Sequence, residues 1–365
     1  MLGMHSKNSL LPTPKFLLMP AAGIDISDRS IKYVKLVPQA HGFSLDSFCD
    51  IPLGPGIVEN GQIISQNKLR EVLIELREKY KISFVRTALP EKQMYFFRMT
   101  IPSGPYQVLH DTIELSLEDH VPIPAAETVF DFDVVGHTGA DVEVAVTASL
   151  GTVVDSYIST FKSAGLSLLS IELEADALAR AVIHREDKFA HLIVDFGETR
   201  TGIAVAYGGQ IYFTSTVGIG GQILTDTLAK HFNISNDEAE KMKREFGLRR
   251  NSPHQDLFSL LLNNIAVLRD EINRHFIYWH THPDEKGVAR PPIEQIVLVG
   301  GDSNLAGLSD YLSVSLRVKT VVADIWTNVN FPKHGVPELS RQDSLGYATA
   351  IGLSMHDINN DQKYE

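Results

Sequence analysis

Cysteine is nearly missing from this sequence: Cys49 stands alone among 365 residues. That excludes a disulfide framework and a multi-thiolate metal site, and it suits a reducing compartment. Positive charge is short as well. The formal net charge is -12, whereas a nucleic-acid surface needs a concentrated basic face, so only a local phosphate site stays open. Long apolar runs are absent too. The patch at residues 16–19 of "MLGMHSKNSLLPTPKFLLMPAAG" is hemmed in by Pro12, Pro14 and Pro20. It is too short to span a bilayer and lacks the unbroken core of a signal peptide, so a leader packed on the first strand is expected. The last residues, "MHDINNDQKYE", have no apolar face for a membrane surface and read as a polar tail. No G-x-S-x-G nucleophile elbow occurs, and no hydrolase triad is assigned. The expected location is cytoplasmic.

What is present is an ordinary globular composition, 44% hydrophobic and 21% charged. A chain of this length outgrows a single core, so two domains or one bilobed body are expected. After an opening strand, turn and strand ("GIDISDRSIKYV"), a β-like run reaches Phe48 and a Gly/Pro loop follows at residues 53–56. Leu69, Val72, Leu73, Leu76 and Tyr80 then recur at helical spacing. From Phe84 the pattern is β-rich ("FVRTALP", "QMYFFRMTIP"), with a helix predicted over 107–120 and strands in "TVFDFDVV" and "DVEVAVTASL". Val153, Tyr157 and Phe161 predict a helix that Gly165 ends. A strand at 168–173, a helix at 175–184 and a second β-rich unit from His191 come next. Ser235 with Glu238 is a capping-box pattern, and Gly247 a helix stop. Leu261, Ile265, Leu268, Ile272 and Phe276 form one stripe of a long helix, and "PPIEQIVLVGG" reads as a central strand. The chain thus divides into a leader (1–22), a first lobe (23–83 and 161–190), an inserted α+β block (84–160), a second lobe (191–354, with a helical part at 233–290) and a polar tail (355–365).

The opening pattern returns about half the chain later as "HLIVDFGETRTGIAVAYGGQIYF". In both places an apolar strand ends in an aspartate, Asp25 or Asp195, and a short polar turn leads into a second apolar strand. One such hairpin is an ordinary solvated turn. Two of them, each heading a β-rich unit, suggest a duplicated fold whose turns face each other across a cleft. A tight polar turn can aim successive backbone N–H groups at a phosphate, Lys32 adds positive charge, and Asp25 and Asp195 could hold magnesium through its waters. Gly218, Gly220 and Gly221 in "TVGIGG", and Gly300-Gly301 in "LVGGDSNLAGL", each precede a predicted helix, a geometry in which backbone packs against a base and the helix end favours anions. "WHTHP" spaces His280 and His282 two apart, but no third ligand is evident and a solvated loop is expected there.

Taken in order and spacing, "GIDISDRSIKYV", "VDFGETRTGIAV", "GIGG" and "LVGGDSNLAGL" resemble the phosphate-1, phosphate-2 and adenosine motifs of the actin, heat-shock chaperone and sugar-kinase ATPase superfamily. Within it, "GIVENGQIIS", "RTALPEKQMYFFRMTIP" and "LSIELEADALARA" look like the PilM family of type IV pilus assembly proteins, with the FtsA cell-division proteins as relatives. The resemblance runs from about Gly23 to Leu353. It implies an α/β, bilobed, actin-like fold of the duplicated ribonuclease-H kind, with a small α+β subdomain inserted in the first lobe. It also implies phosphate contacts from Ser27, Asp28, Arg29 and Lys32, and from Gly197, Thr199 and Thr201. Gly220, Gly221, Gly300, Gly301 and Asn304 fall at the adenosine side, Glu174 where relatives place a water-positioning acid, and Glu271 and Arg274 where chaperone relatives meet adenosine and ribose. The implied cofactors are ATP and Mg2+, with at most slow hydrolysis.

By the same resemblance the chain is expected to be an adaptor on the inner face of the cytoplasmic membrane. It would bind the N-terminal cytoplasmic peptide of a PilN-type membrane protein, meet other pilus-assembly proteins, and self-associate. The alternatives are a sugar- or acid-kinase type phosphotransferase of the same superfamily, and an FtsA-like cell-division or secretion-system actin homologue. The chain departs from the family at Ser27, where a loop glycine is usual; if that position needs a positive φ, serine there is strained. Arg29 and Glu198 are further departures in the two turns.

Overall fold

The computed structural model describes residues 21–39, 42–249, 255–284, 287–329 and 339–355. The expected leader up to residue 20 and the tail from 356 lie outside the described residues.

Two five-stranded sheets share one strand order, which is the structural form of the repeat seen in the sequence. In the first lobe β1 (Ala22–Ile26), β2 (Ser30–Gln39) and β3 (Gly42–Pro52) run antiparallel. A short hairpin, β4 (Val58–Glu59) and β5 (Gln62–Ile63), leads to helix α1 (Gln66–Tyr80) and to β6 (Phe84–Leu89), parallel to β1. The insertion consists of β7 (Met94–Pro102), α2 (Tyr106–His120), β8 (Thr128–Thr138) and β9 (Asp141–Leu150), in sheet order β7-β9-β8. Helix α3 (Gly151–Ser163) and β10 (Ser167–Leu173) return the chain to the first sheet, whose order is β10-β6-β1-β2-β3.

Helix α4 (Glu174–Val182) then leads to the second lobe. There β11 (Ala190–Phe196), β12 (Thr201–Tyr207) and β13 (Gln210–Val217) are antiparallel. Helices α5 (Gly221–Phe232), α6 (Asn236–Phe246) and α7 (Gln255–Thr281) precede β14 (Ile293–Val299), α8 (Leu308–Leu316) and β15 (Thr320–Val322). The sheet order is β13-β12-β11-β14-β15, so β1 and β11 are equivalent strands, each central and each carrying its aspartate as the next-to-last residue. Both are nearly all apolar because they are covered on both faces, as parallel neighbours in a layered α/β fold require.

Local chemistry explains both ends of α6. Ser235 caps α6 through its side chain, and Glu238 returns the bond to the Ser235 N–H, completing the capping box; Gly247 ends the helix. The predicted helix at 175–184 is α4, which stops at Val182 because the Asn328 side chain takes the carbonyls of Arg180 (3.0 Å) and Ile183 (2.6 Å). That capping partner is about 145 residues away, by the separation of Ile183 and Asn328.

The last elements, α9 (Arg341–Ser344) and α10 (Ala348–Ser354), cross between lobes. Although the sequence boundary assigns residues up to 354 to the second lobe, α10 packs on β1 and α4 of the first. A Cβ on Gly23 would strike the Ala350 carbonyl and one on Gly352 the Ala177 carbonyl, so the backbones approach as only glycine allows. Arg180 also donates to the Gly352 carbonyl at 2.7 Å.

Candidate functional site

A cavity of about 800 Å³ lies between the lobes, and the two equivalent strands deliver Asp25 and Asp195 into it. Both carboxyls are half-buried. Burial raises Asp25 to about 6, with Glu174 adding to the effect and Lys32 and Arg200 opposing it. Burial likewise raises Asp195 to about 7, again helped by Glu174 and opposed by Arg200. A third acid, Glu91, sits in the turn between β6 and β7 and is raised to about 8 by burial and then by Glu174, while Arg200 and the Thr216 hydroxyl work against the shift.

Arg200 holds these acids together. It donates to Glu174 at 3.1 Å, and both side chains are mostly buried, 15% and 10% exposed. Burial disfavours its charge, but Glu174, Glu91 and Asp195 together hold its pKa above the ordinary arginine value. Arg200, with Lys32 acting on Asp25 and Asp195, thus faces four carboxyls, whose raised values suit the cleft to a cation.

The first turn is closed by its own serine. Ser27 N–H donates to the Ser30 carbonyl at 2.9 Å, and the Ser27 hydroxyl accepts from the N–H groups of Ser30 (3.1 Å) and Arg29 (3.4 Å). Ser27 is not among the residues with positive φ, so the strain expected for a serine at a glycine position does not arise. Its hydroxyl instead occupies N–H groups of the kind a phosphate would take, a serine turn in place of an anion. Lys32 reaches Ser30 Oγ at 2.8 Å, and Asp28 accepts from the Gly61 N–H at 3.2 Å, which fastens the turn to the β4–β5 hairpin. Arg29 pairs with Glu198 of the opposite turn at 3.6 Å, across the cleft.

In the second turn Gly197 N–H donates to the carbonyl of Arg200 at 3.0 Å. Gly197 and Thr199 line the cavity. Thr201 does not: it is buried, and its hydroxyl donates to the Ile219 carbonyl at 2.6 Å. Gly220 and Gly221 also lie behind the turn. The Gly221 and Gln222 N–H groups donate to the carbonyls of Gly197 (2.9 Å) and Glu198 (2.8 Å), so the N-terminus of α5 braces the turn and its donors are spent there. A Cβ on Gly220 would strike Glu198, and one on Gly221 the Asp302 carboxyl.

Gly300, Gly301 and Asn304 line the cavity, and Asn304 donates to the Gln342 carbonyl at 2.7 Å. Gly300 has φ of 91° and packs so closely on Asp195 that a Cβ would collide with its carboxylate. Gly300→Ala is therefore expected to cost about 1–3 kcal/mol from backbone strain alone and to displace Asp195. Gly54→Ala, where a Cβ meets nothing within 4 Å, is the control. Urea midpoints of the two variants check this; equal midpoints would refute it.

Glu271 and Arg274 do not line the cavity. They pair with each other at 3.0 Å on α7, with Arg274 71% exposed, as an ordinary i,i+3 surface pair does. Of the second lobe's long helices it is α6 that reaches the cavity: Arg244 lines it, and the buried Lys243 bonds Asp302 at 2.6 Å and Glu240 at 2.7 Å. His280 is no loop residue; it lies in the last turn of α7, where its Nε2 accepts from the Ile293 N–H at 3.2 Å.

The sequence pattern did not mark Arg200, Glu91, Asp302, Lys243 or Arg244, and it marked Glu198 only as a departure in its turn. Arg200 and Glu198 stood in plain view inside "DFGETRTG". The usable signal for α6 was its charge spacing, Glu240, Lys243 and Arg244 at i, i+3 and i+4, shortly after the Gly220-Gly221 pair.

The family described as type IV pilus assembly protein PilM matches residues 23–358. Among solved structures, a chain of a PilM-PilN type IV pilus biogenesis complex is similar with a TM-score of 0.78 at 21% identity, over 93% of this chain and 99% of that one. The ethanolamine utilization protein EutJ from Carboxydothermus hydrogenoformans has a TM-score of 0.56 at 19% identity, covering 96% and 93%. MreB5 of Spiroplasma citri bound to ADP has a TM-score of 0.56 at 14% identity, covering 94% and 98%. At these identities the likeness is one of fold, a bilobed actin-like one. The cell division protein FtsA of Staphylococcus epidermidis is 22% identical over 205 residues, 49% of this chain and 42% of that protein. This chain therefore spans less than half the length of that curated relative.

Proposed function

Because the chain belongs to the PilM family of type IV pilus assembly proteins, we propose that it is a nucleotide-binding, actin-like adaptor of pilus assembly whose cleft takes ATP with magnesium. The observation that carries this reading is the pair Asp25 and Asp195, set at the ends of equivalent strands, aimed into one cavity, and both kept reluctant to ionise. Such a donor set fits a hard dication held through its waters. When bound, the ion would neutralise phosphate charge.

The protein's own groups do the rest. Lys32, Arg29 and Arg200 supply positive charge to the phosphates, with Gly197 and Thr199 in the second turn. Ser27 must release the Arg29 and Ser30 N–H groups for the first turn to bind a phosphate oxygen. Gly300, Gly301 and Asn304 form the nucleoside side, with Arg244 on the facing helix in the place first given to Glu271 and Arg274. Glu174 would orient water only after leaving Arg200, so hydrolysis is expected to be slow.

The proposed partner is the N-terminal cytoplasmic peptide of a PilN-type membrane protein, bound between the insertion and the first lobe; the structure named for a PilM-PilN complex supports it. Nucleotide would favour one cleft closure that the pilus machinery, including other pilus-assembly proteins and further copies of this chain, reads out. Among the described residues no helix is long and apolar enough to cross a membrane, in keeping with attachment through a partner.

Calorimetry with ATP and magnesium, on the parent protein and on Asp195→Ala, with and without the peptide, tests this. Binding to the parent and its loss in Asp195→Ala is the expected result. No nucleotide binding in either condition would sink the ATP reading, and binding indifferent to Asp195→Ala would sink the site.

A further inference from the structure

The insertion is chained to the first lobe, yet it also makes a buried polar attachment to the second. Two covalent links, the turn after β6 and the passage from β9 into α3, tie it to the first lobe. Toward the second lobe it presents Arg98 of β7. The Arg98 guanidinium donates to the Ile211 carbonyl at 3.1 Å and to Gln210 Oε1 at 3.3 Å, and lies over the Tyr212 ring with its carbon 3.7 Å from the centroid. Only 9% of the side chain is exposed. Glu143, on the neighbouring strand β9, accepts from its Nε at 2.9 Å and fixes its direction from behind.

The receiving surface is firm. Tyr212 is met edge-on by Trp279 of α7 at 6.0 Å and by Tyr207 of β12 at 5.6 Å between centroids, and Trp279 is fully buried in the core of the second lobe. Gln210 also returns a bond, donating to the Val135 carbonyl of β8 at 3.4 Å. The planar fork of arginine satisfies a carbonyl, an amide oxygen and an aromatic face at once, which lysine cannot do.

The strand that receives Arg98 also reaches the cleft. At its other end, β13 donates from the Thr216 hydroxyl to Glu91 at 3.1 Å, and Glu91 is the acid in the turn that starts the insertion, close to Arg200 and Glu174. One strand of the second lobe thus grips the insertion at two places, one facing the cleft and one facing the insertion's sheet.

We propose that Arg98, seated on Tyr212 and β13, clamps the inserted subdomain to the second lobe, so that opening the cleft and reorienting the insertion are a single movement. A ligand that prefers one closure of the cleft then acts on the insertion, and a partner seated on the insertion acts equally on the cleft. The nucleotide half of this rests on the function proposed above; the clamp does not.

The test uses the full chain with Cys49→Ser, carrying spin labels at Leu115→Cys on α2 and Val314→Cys on α8, positions 89% and 80% exposed. Pulsed electron resonance measures the distance between insertion and second lobe. The parent is expected to give one narrow distribution, unchanged by ATP with magnesium. Arg98→Ala, Arg98→Lys and Tyr212→Leu are each expected to broaden it, with circular dichroism melts confirming that each variant is folded. If Arg98→Ala fails to fold, the other two variants decide the matter. Distributions as narrow as the parent's overturn the clamp, as does a parent distribution that shifts when nucleotide is added. A parent that binds no nucleotide removes only the nucleotide half, since the broadening is measured without it. Where nucleotide binds, an effect on peptide affinity of about tenfold, within the usual range of coupling between sites, is expected to vanish in Arg98→Ala.

Discussion

Arg200→Ala is expected to destabilise the protein by about 3–5 kcal/mol, the usual cost of breaking a buried ion pair from one side. The reason is what stays behind. Glu174 loses its partner at 3.1 Å, Glu91 loses the cation that opposes its shift, and Asp195 and Asp25 are left with Lys32 alone. Arg200→Lys keeps a charge but not the fork, and should fall between the two. Urea unfolding at neutral pH reads this as a lower midpoint with an unchanged slope. A loss below about 1 kcal/mol, the range of exposed pairs, would mean that Arg200 is not the counter-charge of the cleft. Arg200→Ala should also recover part of its loss at acid pH, where the abandoned carboxyls can protonate.

That dependence leads to the second large effect, in the parent itself: without nucleotide or metal, stability should fall as pH rises from about 5 to 8, by several kcal/mol. The three cleft acids have folded values of about 6, 7 and 8 for Asp25, Asp195 and Glu91, against model values of 3.8, 3.8 and 4.5. Between those ranges the folded protein holds protons that the unfolded chain has released. The stabilising contribution is complete below the unfolded values and is lost as pH climbs through the folded ones. Thermal unfolding across that window measures the slope, and Asp195→Asn should flatten it. Magnesium with nucleotide should raise stability most at the alkaline end, where the carboxyls are ionised and ready for a cation. A melting temperature flat from pH 5 to 8 would show that the acids are not held as described.

The sequence by itself determined the elements whose causes are local. Strand, aspartate, polar turn and strand occur twice in the one-dimensional pattern because a strand's alternation and a turn's composition are written in adjacent residues, and the two sheets with one strand order follow from that repeat. The Ser235–Glu238 cap, the stop at Gly247 and the stripe of α7 were legible for the same reason.

Tertiary structure alone decided the rest, wherever a partner is distant along the chain. Nothing near Val182 announces that Asn328 will end α4, and nothing in residues 348–354 says that they pack on the first lobe. Glu271 and Arg274 have a spacing that suits a site or a surface pair equally; only the path of α7 makes them a surface pair while α6 borders the cavity. Arg200 was visible as a residue, but its role comes from lying among four acids drawn from four segments, and Arg98 meets Tyr212 from more than a hundred positions away. Ser27 shows the division most directly: its identity announced a departure from a glycine loop, and only the folded turn, with its ordinary φ and its hydroxyl on the N–H groups of Arg29 and Ser30, turned an expected strain into a closed serine turn.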